Sequence, residues 1–445
     1  MATLRRKAAE GLDKIPSNEG EWRAAIQKYG LQQRTLEDLC KEGRFSASSV
    51  PKEAFLTLRC IWPEKKNVED AMEYITDLEY FFTEDHSHDA ANIIGTNLLG
   101  LDKLKNLVSI ICPSKEPRLS TPPKYSGTLA DNLGPFSILV NIFNQLQDKS
   151  IHTEVDVQQV GWAPQTRRHF DPMQSPIREH PQSPSRQLFE SEDFDMEDVD
   201  MDDAGSPAPP LHPVVTAPVE LEDEEPPRRT PTETLVTDFM VTFLGGLASL
   251  VQPHSSRPLC IANSFETTFQ FGPLRNTRQQ QGEVQYRARV DGSIPFSTSL
   301  SGMLREAAIF EAKRAVRKES DGSIPVLAQQ SMEHIAYIWK RHESDQAWKK
   351  KKKTYHTFMV AQDHLQFHIS IGTYDNKYLE YIFASNSQIV LPFQGPVPFL
   401  KIQEFGPFDI ANQDGLTLFS NIMLSFILQQ LEQTSAKSIF KEALR

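Results

Sequence analysis

Asp291, Glu311 and Lys313 are the side chains that could do phosphodiester chemistry. They lie in DGSIPFSTSLSGMLREAAIFEAKRAVRKESDGSIP, residues 291–325. Two carboxylates supply the hard oxygen ligands that Mg²⁺ takes. A cation so held lowers the pKa of its bound water and neutralises charge on a phosphate. A lysine beside it orients that water or steadies the developing negative charge.

Whether the three meet depends on the element that carries FEAKR. Propensity favours a helix over 305–318, where Ala, Glu, Lys and Arg dominate. On a helix Glu311 and Lys313 point about 200° apart and share no site. On a strand, residues two apart face the same way, so Glu311 and Lys313 project together beside Ile309, with Phe310 and Ala312 opposite. A strand there would pair with the hairpin that ends at Asp291 and bring the two carboxylates together. DGSIP stands at both ends of the stretch. Asp-Gly is a turn signal that explains both copies, and their flanks (RARV and RKES) differ, so no duplicated unit is supported.

The elements that must position these residues are legible around them. TETLVTDFMVTFLGGLASLV (232–251) reads as an apolar helix. Strand-like runs follow at 264–272, 283–290, 354–362, 365–374 and 378–384. PVLAQQSMEHIAYIWKRH forms a helix between the two strand groups, and a helix over 412–433 closes the region. Strands flanked by helices predict a mixed α/β domain over 232–445. Residues 1–155 read as an α-helical domain, with Val68, Met72, Ile75 and Leu78 on one stripe, a helix or broken pair at 92–112, and a third helix at 135–146.

Between them, 151–232 holds 13 of the 30 prolines and 6 Lys+Arg against 18 Asp+Glu, which accounts for the whole chain's net charge of −12. Such a segment buries too little apolar surface to offset its ordering entropy, so 156–231 is expected to be a disordered acidic Pro-rich linker. It carries two Ser-Pro-x-Arg sites for proline-directed kinases, at Ser175 and Ser183, and an acidic-hydrophobic block at 189–203 that could dock on a basic partner. Cys40, Cys60, Cys112 and Cys260 form no CxxC pair. That argues against a zinc module or a disulfide framework and points to an intracellular compartment, the nucleus first and the cytoplasm as alternative. The apolar stretch 239–251 falls short of the roughly 18 residues a membrane span needs, and nothing near the first residue reads as a secretory signal. No Gly-rich phosphate loop, GxSxG or HExxH occurs, so no small-molecule cofactor is expected.

The spacing Asp-x(19)-Glu-x-Lys, with Gln329 and Gln330 on the following helix, resembles the PD-(D/E)xK nuclease fold. More narrowly it is similar to the PD-(D/E)xK nuclease-like domain of many filamentous-fungal proteins. MVAQDHLQFHI, YDNKYLEYIF and EFGPFDI (404–410) agree with it, and the likeness covers about 233–433. Val290 stands where the motif has proline. The resemblance implies a restriction-endonuclease-like α/β fold that cleaves phosphodiester bonds, most often of DNA, with Mg²⁺ or Mn²⁺. It would make Asp291 and Glu311 the metal ligands and Lys313 the catalytic lysine. Gln330 would be preferred over Gln329 as the supporting glutamine, and Glu233 would be a possible further ligand. The alternative is a non-catalytic nuclear adaptor, in which the same fold binds nucleic acid or protein, with a protein partner on the helical domain or the linker.

Three other features invite chemistry. Asp85-His86-Ser87-His88-Asp89 has metal-ligand composition but reads better as a polar loop between helices. His364 and His368 would share a strand face, as ordinary surface or half-buried histidines. The run Lys349–Lys353 suits phosphate contacts, a nuclear-import signal or a solvated loop.

Overall fold

Glu306–Lys313 is a β-strand, and the fold is built around it. The computed structural model describes residues 7–41, 45–95, 102–112, 129–147, 233–251, 262–264, 266–272, 285–295, 306–317, 323–343, 349, 353–383 and 397–432. The expected linker, 156–231, lies outside the described residues.

In chain order the strands are β1 (Phe45–Ser46), β2 (Cys60–Ile61), β3 (Thr267–Phe271), β4 (Tyr286–Val290), β5 (Gly292–Pro295), β6 (Glu306–Lys313), β7 (Thr354–Asp363), β8 (Gln366–Asp375) and β9 (Leu400–Asp409). The helices are α1 (Glu19–Lys28), α2 (Lys52–Thr57), α3 (Glu69–Asp77), α4 (Glu84–Gly95), α5 (Asp102–Ile111), α6 (Leu129–Leu133) and α7 (Ser137–Gln147) before the linker. After it come α8 (Glu233–Val251), α9 (Ile324–His342), α10 (Asn376–Ile382) and α11 (Gln413–Glu432).

A mixed six-stranded sheet runs in the order β2-β9-β8-β7-β6-β5, and a small sheet in the order β1-β4-β3. β6 lies antiparallel to β5 and parallel to β7. It is buried on both faces, with Ala307, Ala308, Ile309, Phe310 and Ala312 all inaccessible. That explains why propensity lost: an apolar run between two paired strands gains more from burial than alanine gains from a helix. The parallel β6–β7 pair needs a crossover, and α9 supplies it.

Helices cover both faces of the large sheet. Ala308, Phe310, Val360 and Ile369 pack with Phe243 of α8, Phe419 of α11, Phe81 and Leu139. On the other face Ile309, Met359 and Ile402 pack with Met332 and Ile335 of α9, and with Trp22 and Phe55. Both clusters therefore draw on each side of the linker. The expected separate N-terminal helical domain is replaced by one compact unit in which the two halves share their cores. The physical reason is that the short amphipathic N-terminal helices find their apolar partner on the sheet. Each large side chain so buried contributes about 1.5–3 kcal/mol. This half even extends both sheets, β2 pairing with β9 and β1 with β4.

Several local readings change. Residues 378–384 were expected as a strand, but α10 runs over 376–382 there. Asp375 caps it by accepting from the Tyr378 N–H at 3.0 Å, and its buried Tyr378, Leu379, Tyr381 and Ile382 follow helical rather than alternating spacing. Residues 85–89 lie in α4, not in a loop; His86 Nδ1 meets the Thr83 hydroxyl at 2.7 Å in the helix's first turn. Asp291-Gly292 is no hairpin turn. It is the point where the chain leaves β4 in the small sheet and enters β5 in the large one, and Gly292 is not in the left-handed region. Glycine is required there by close approach, since a Cβ would stand 2.1 Å from the Phe310 ring and 2.2 Å from the Asn263 carbonyl oxygen. The second DGSIP copy leads into α9, with Ser323 at its N-cap and Pro325 in the first turn. α8 is long and apolar enough to cross a membrane (mean hydropathy 1.7), and 61% of that stretch is buried inside the fold.

Candidate active site

The antiparallel register pairs Gly292 with Phe310, so Asp291 stands one step further on, beside Glu311 on the neighbouring strand. Its backbone N–H donates to the Phe310 carbonyl at 3.1 Å. Its Oδ2 accepts from the Ala312 N–H at 2.9 Å, where a longer β5 would have offered a carbonyl. Asp291 is thus fixed by the sheet ladder itself. Glu311 and Lys313 leave the same face of β6, and the Lys313 ammonium is in direct contact with Glu311 Oε1. Glu311 is buried, while 23% of the Lys313 side chain reaches solvent. Lys313 is the accessible end of the pair.

α9 lies over this face. Its Gln329 Nε2 donates to Glu311 Oε1 at 2.6 Å and to Glu333 Oε1 at 2.8 Å. Of the two glutamines, Gln329 is the one that reaches Glu311. Gln330, the preferred residue from sequence, is buried one helical step round, and its Nε2 has no hydrogen-bond partner. Glu333 was missed altogether. The signal was there: a carboxylate four residues after Gln329, hence above it on one helix face. His334, next along α9, ties the helix to the sheet through Thr357 (2.7 Å) and Ser370 (3.0 Å).

The charges do not balance. Burial first, then the carboxylates of Asp291 and Glu233, push Glu311 up to about 7 against the opposing pull of Lys313. Burial and Glu311 hold Glu333 well above the usual carboxylate range. Burial works against the Lys313 ammonium, but Glu311 and Glu233 outweigh it and raise its pKa. Glu233 is exposed at the start of α8, close enough for its charge to be felt by both Glu311 and Lys313.

The donor chemistry suits a hard divalent cation: clustered carboxylates, with Glu311 Oε2 and Glu333 Oε2 buried and without hydrogen-bond partners. The cage is not ready-made, because among the described residues no three His, Cys, Asp or Glu are already arranged to hold an ion.

Further along the same face lies a second polar group. Lys313 pairs in register with Asp363 of β7. Arg317 bridges Asp363 and Glu404 of β9. His368 of β8 lies 3.4 Å from Glu404 and 4.0 Å from Asp363. Burial, helped by Arg317 and Lys65, holds that imidazole well below its ordinary pKa, hence neutral. His364 does not share its strand: it turns the β7–β8 corner at φ +57° and donates to the Leu146 carbonyl at 2.9 Å. The wall of this end is built by the N-terminal half. Trp62 Nε1 donates to Ser331 Oγ (2.8 Å), Gln403 to the Glu64 carbonyl (2.9 Å), and a 410 Å³ cavity opens between Lys14, Ser17, Lys65, Leu327 and Glu404. Of the lysine run, 350–352 lies outside the described residues; Lys353 stands over the rings of Tyr80 and Tyr355.

Compared with protein-family models, curated proteins and solved structures, the chain matches none.

Proposed function

We propose that this protein is a divalent-cation-dependent nuclease of PD-(D/E)xK type that hydrolyses phosphodiester bonds of DNA. The observation that carries the reading is Glu311 and Lys313 in contact on one face of a strand, with Asp291 beside them. That is the arrangement the motif requires and a helix forbids. Asp291 and Glu311 would hold Mg²⁺ or Mn²⁺, which when bound supplies an activated water and charge neutralisation at the phosphate. Lys313, the part of the cluster in reach of solvent, orients the attacking water and faces the negative charge that develops on the phosphate. Gln329 holds the Glu311 carboxylate in place from α9, and the Ala312 N–H holds Asp291. Partners follow from the substrate: nucleic acid, in the nucleus by preference.

A second reading is favoured by one observation. Glu311 is 2% exposed and its Oε1 already accepts from Lys313 and Gln329, which suits a fold kept as a DNA- or protein-binding platform without catalysis. The deciding experiment uses the full chain on single- and double-stranded oligonucleotides in Mg²⁺ and in Mn²⁺, wild type beside Lys313→Met. Cleavage by wild type, reduced about 100-fold or more in the variant, is expected. DNA bound but left intact by wild type in both metals would replace the nuclease reading with the platform.

A further inference from the structure

Glu333 has no role in the three-residue motif, yet the structure treats it as the partner of Glu311. One amide nitrogen, Gln329 Nε2, lies between their Oε1 atoms, at 2.6 Å from one and 2.8 Å from the other. Each carboxylate keeps its second oxygen buried with nothing to bond. Leaving a carboxylate oxygen in that state costs free energy that a neutral donor on the other oxygen does not return. Nor is the charge met. Glu311 senses Asp291 and Glu233, Glu333 senses Glu311 and Asp291, and the one cation acting on both is Lys313. Both carboxylates sit on rigid elements, β6 and an α9 tied to β7 and β8 through His334, so the pair is held rather than swept together by a loop.

We propose that Glu333 is a third carboxylate ligand of the divalent cation, and that the Gln329 amide keeps the two glutamates in position where the cation binds. The inference rests on the cation-site reading given above. The free Oε2 atoms of Glu311 and Glu333 are the ones that would turn to the ion, while Gln329 keeps hold of the Oε1 atoms. This accounts for a site that has its carboxylates but no finished cage. It also gives Glu333 a function that the pattern Asp-x(19)-Glu-x-Lys leaves out.

The test is Mn²⁺ titration of the full chain by calorimetry, with thermal unfolding in its presence and absence, for wild type, Glu311→Gln and Glu333→Gln. Glu333→Gln keeps the shape and the oxygen that accepts from Gln329. The expected result is Mn²⁺ binding by wild type, weakened about tenfold or more in both variants. Cation-free Glu333→Gln should melt above wild type and lose the rise in melting temperature that Mn²⁺ gives wild type. Wild-type affinity in Glu333→Gln, with binding lost in Glu311→Gln, would overturn the role of Glu333 and leave the site standing. No binding by wild type would remove both. If Glu333→Gln does not fold, Glu333→Asp carries the test: the charge stays but the reach shortens, so unchanged affinity overturns the proposal and a tenfold loss supports it.

Discussion

Two buried polar groups share one face of the central sheet, and they are built on opposite principles. In the first, Asp291, Glu311 and Glu333 gather around a single lysine, and two carboxylate oxygens have no partner. In the second, Asp363 and Glu404 are bridged by one guanidinium, with a neutral histidine packed between them, and one carboxylate oxygen, Asp363 Oδ1, has no partner. The second carries its cation in its own sequence and is a clamp that ties the loop after β6 to β7 and β9. The first has one ammonium, Lys313, against three carboxylates. On the proposed reading, the group with three carboxylates to one cation is the one that would take up an external cation.

The comparison breaks most visibly at Arg317. Arg317→Ala leaves two buried carboxylates facing a neutral histidine, and breaking such a pair costs about 3–5 kcal/mol. Urea unfolding at neutral pH should show that loss, and Mn²⁺ should not restore it. A cost below about 1 kcal/mol would mean the second group is no clamp.

Glu311 should behave in the opposite sense. Its carboxyl rises from 4.5 to about 7 on folding, so between those values the folded state holds a proton that the unfolded chain releases. Stability from this group is full below about pH 4.5 and falls as pH rises through 7. Its limit is about 3 kcal/mol, at about 1.4 kcal/mol per pKa unit. His334 runs the other way. Burial lowers it to about 3, so its share is full above 6.5 and is lost as pH falls towards 3. Because His334 is present in both proteins, the difference between Glu311→Gln and wild type isolates Glu311 together with the Glu333 it acts on. Glu311→Gln should gain on wild type steadily from pH 4.5 to 7 in cation-free urea titrations. A constant difference would show that Glu311 is not held against its charge.

How much of this could be read from the chain follows from where the information lies. Strands at 354–362 and 365–374, and helices at 232–251, 325–342 and 412–433, were legible because each is long and periodic. β6 was undecided: its alanines favour a helix, and only its place between β5 and β7 overrules them. Asp291, Glu311 and Lys313 were found because they sit close in sequence and their types match one chemistry. The N-terminal half was misjudged as a domain of its own because its short helices show an apolar stripe but not what the stripe meets. Likewise β2 is two residues long, and its pairing with β9 lies some 340 positions away, beyond any local pattern. Arg317, Asp363, His368 and Glu404 come from a loop and three strands and carry no spacing signal at all.

The smallest expected effect decides between adjacent glutamines. Sequence preferred Gln330 narrowly over Gln329, and the 100° turn between successive helical residues separates them. Gln329 donates to two buried carboxylates, and hydrogen bonds to charged groups are worth about 1.5–3 kcal/mol. Gln329→Ala removes them, though in the cation-free protein part of the loss returns as the two glutamates relax apart or take up a proton. Gln330 has a buried amide nitrogen with no partner, so Gln330→Met removes an unsatisfied donor at similar volume and should be neutral within about 1 kcal/mol. Urea unfolding of the two variants beside wild type measures both. The first should fall by about 1–2 kcal/mol, and the second should hold. A reversal of that order would move the supporting role back to Gln330 and separate Glu333 from Glu311. The unbalanced group would then shrink to Asp291, Glu311 and Lys313.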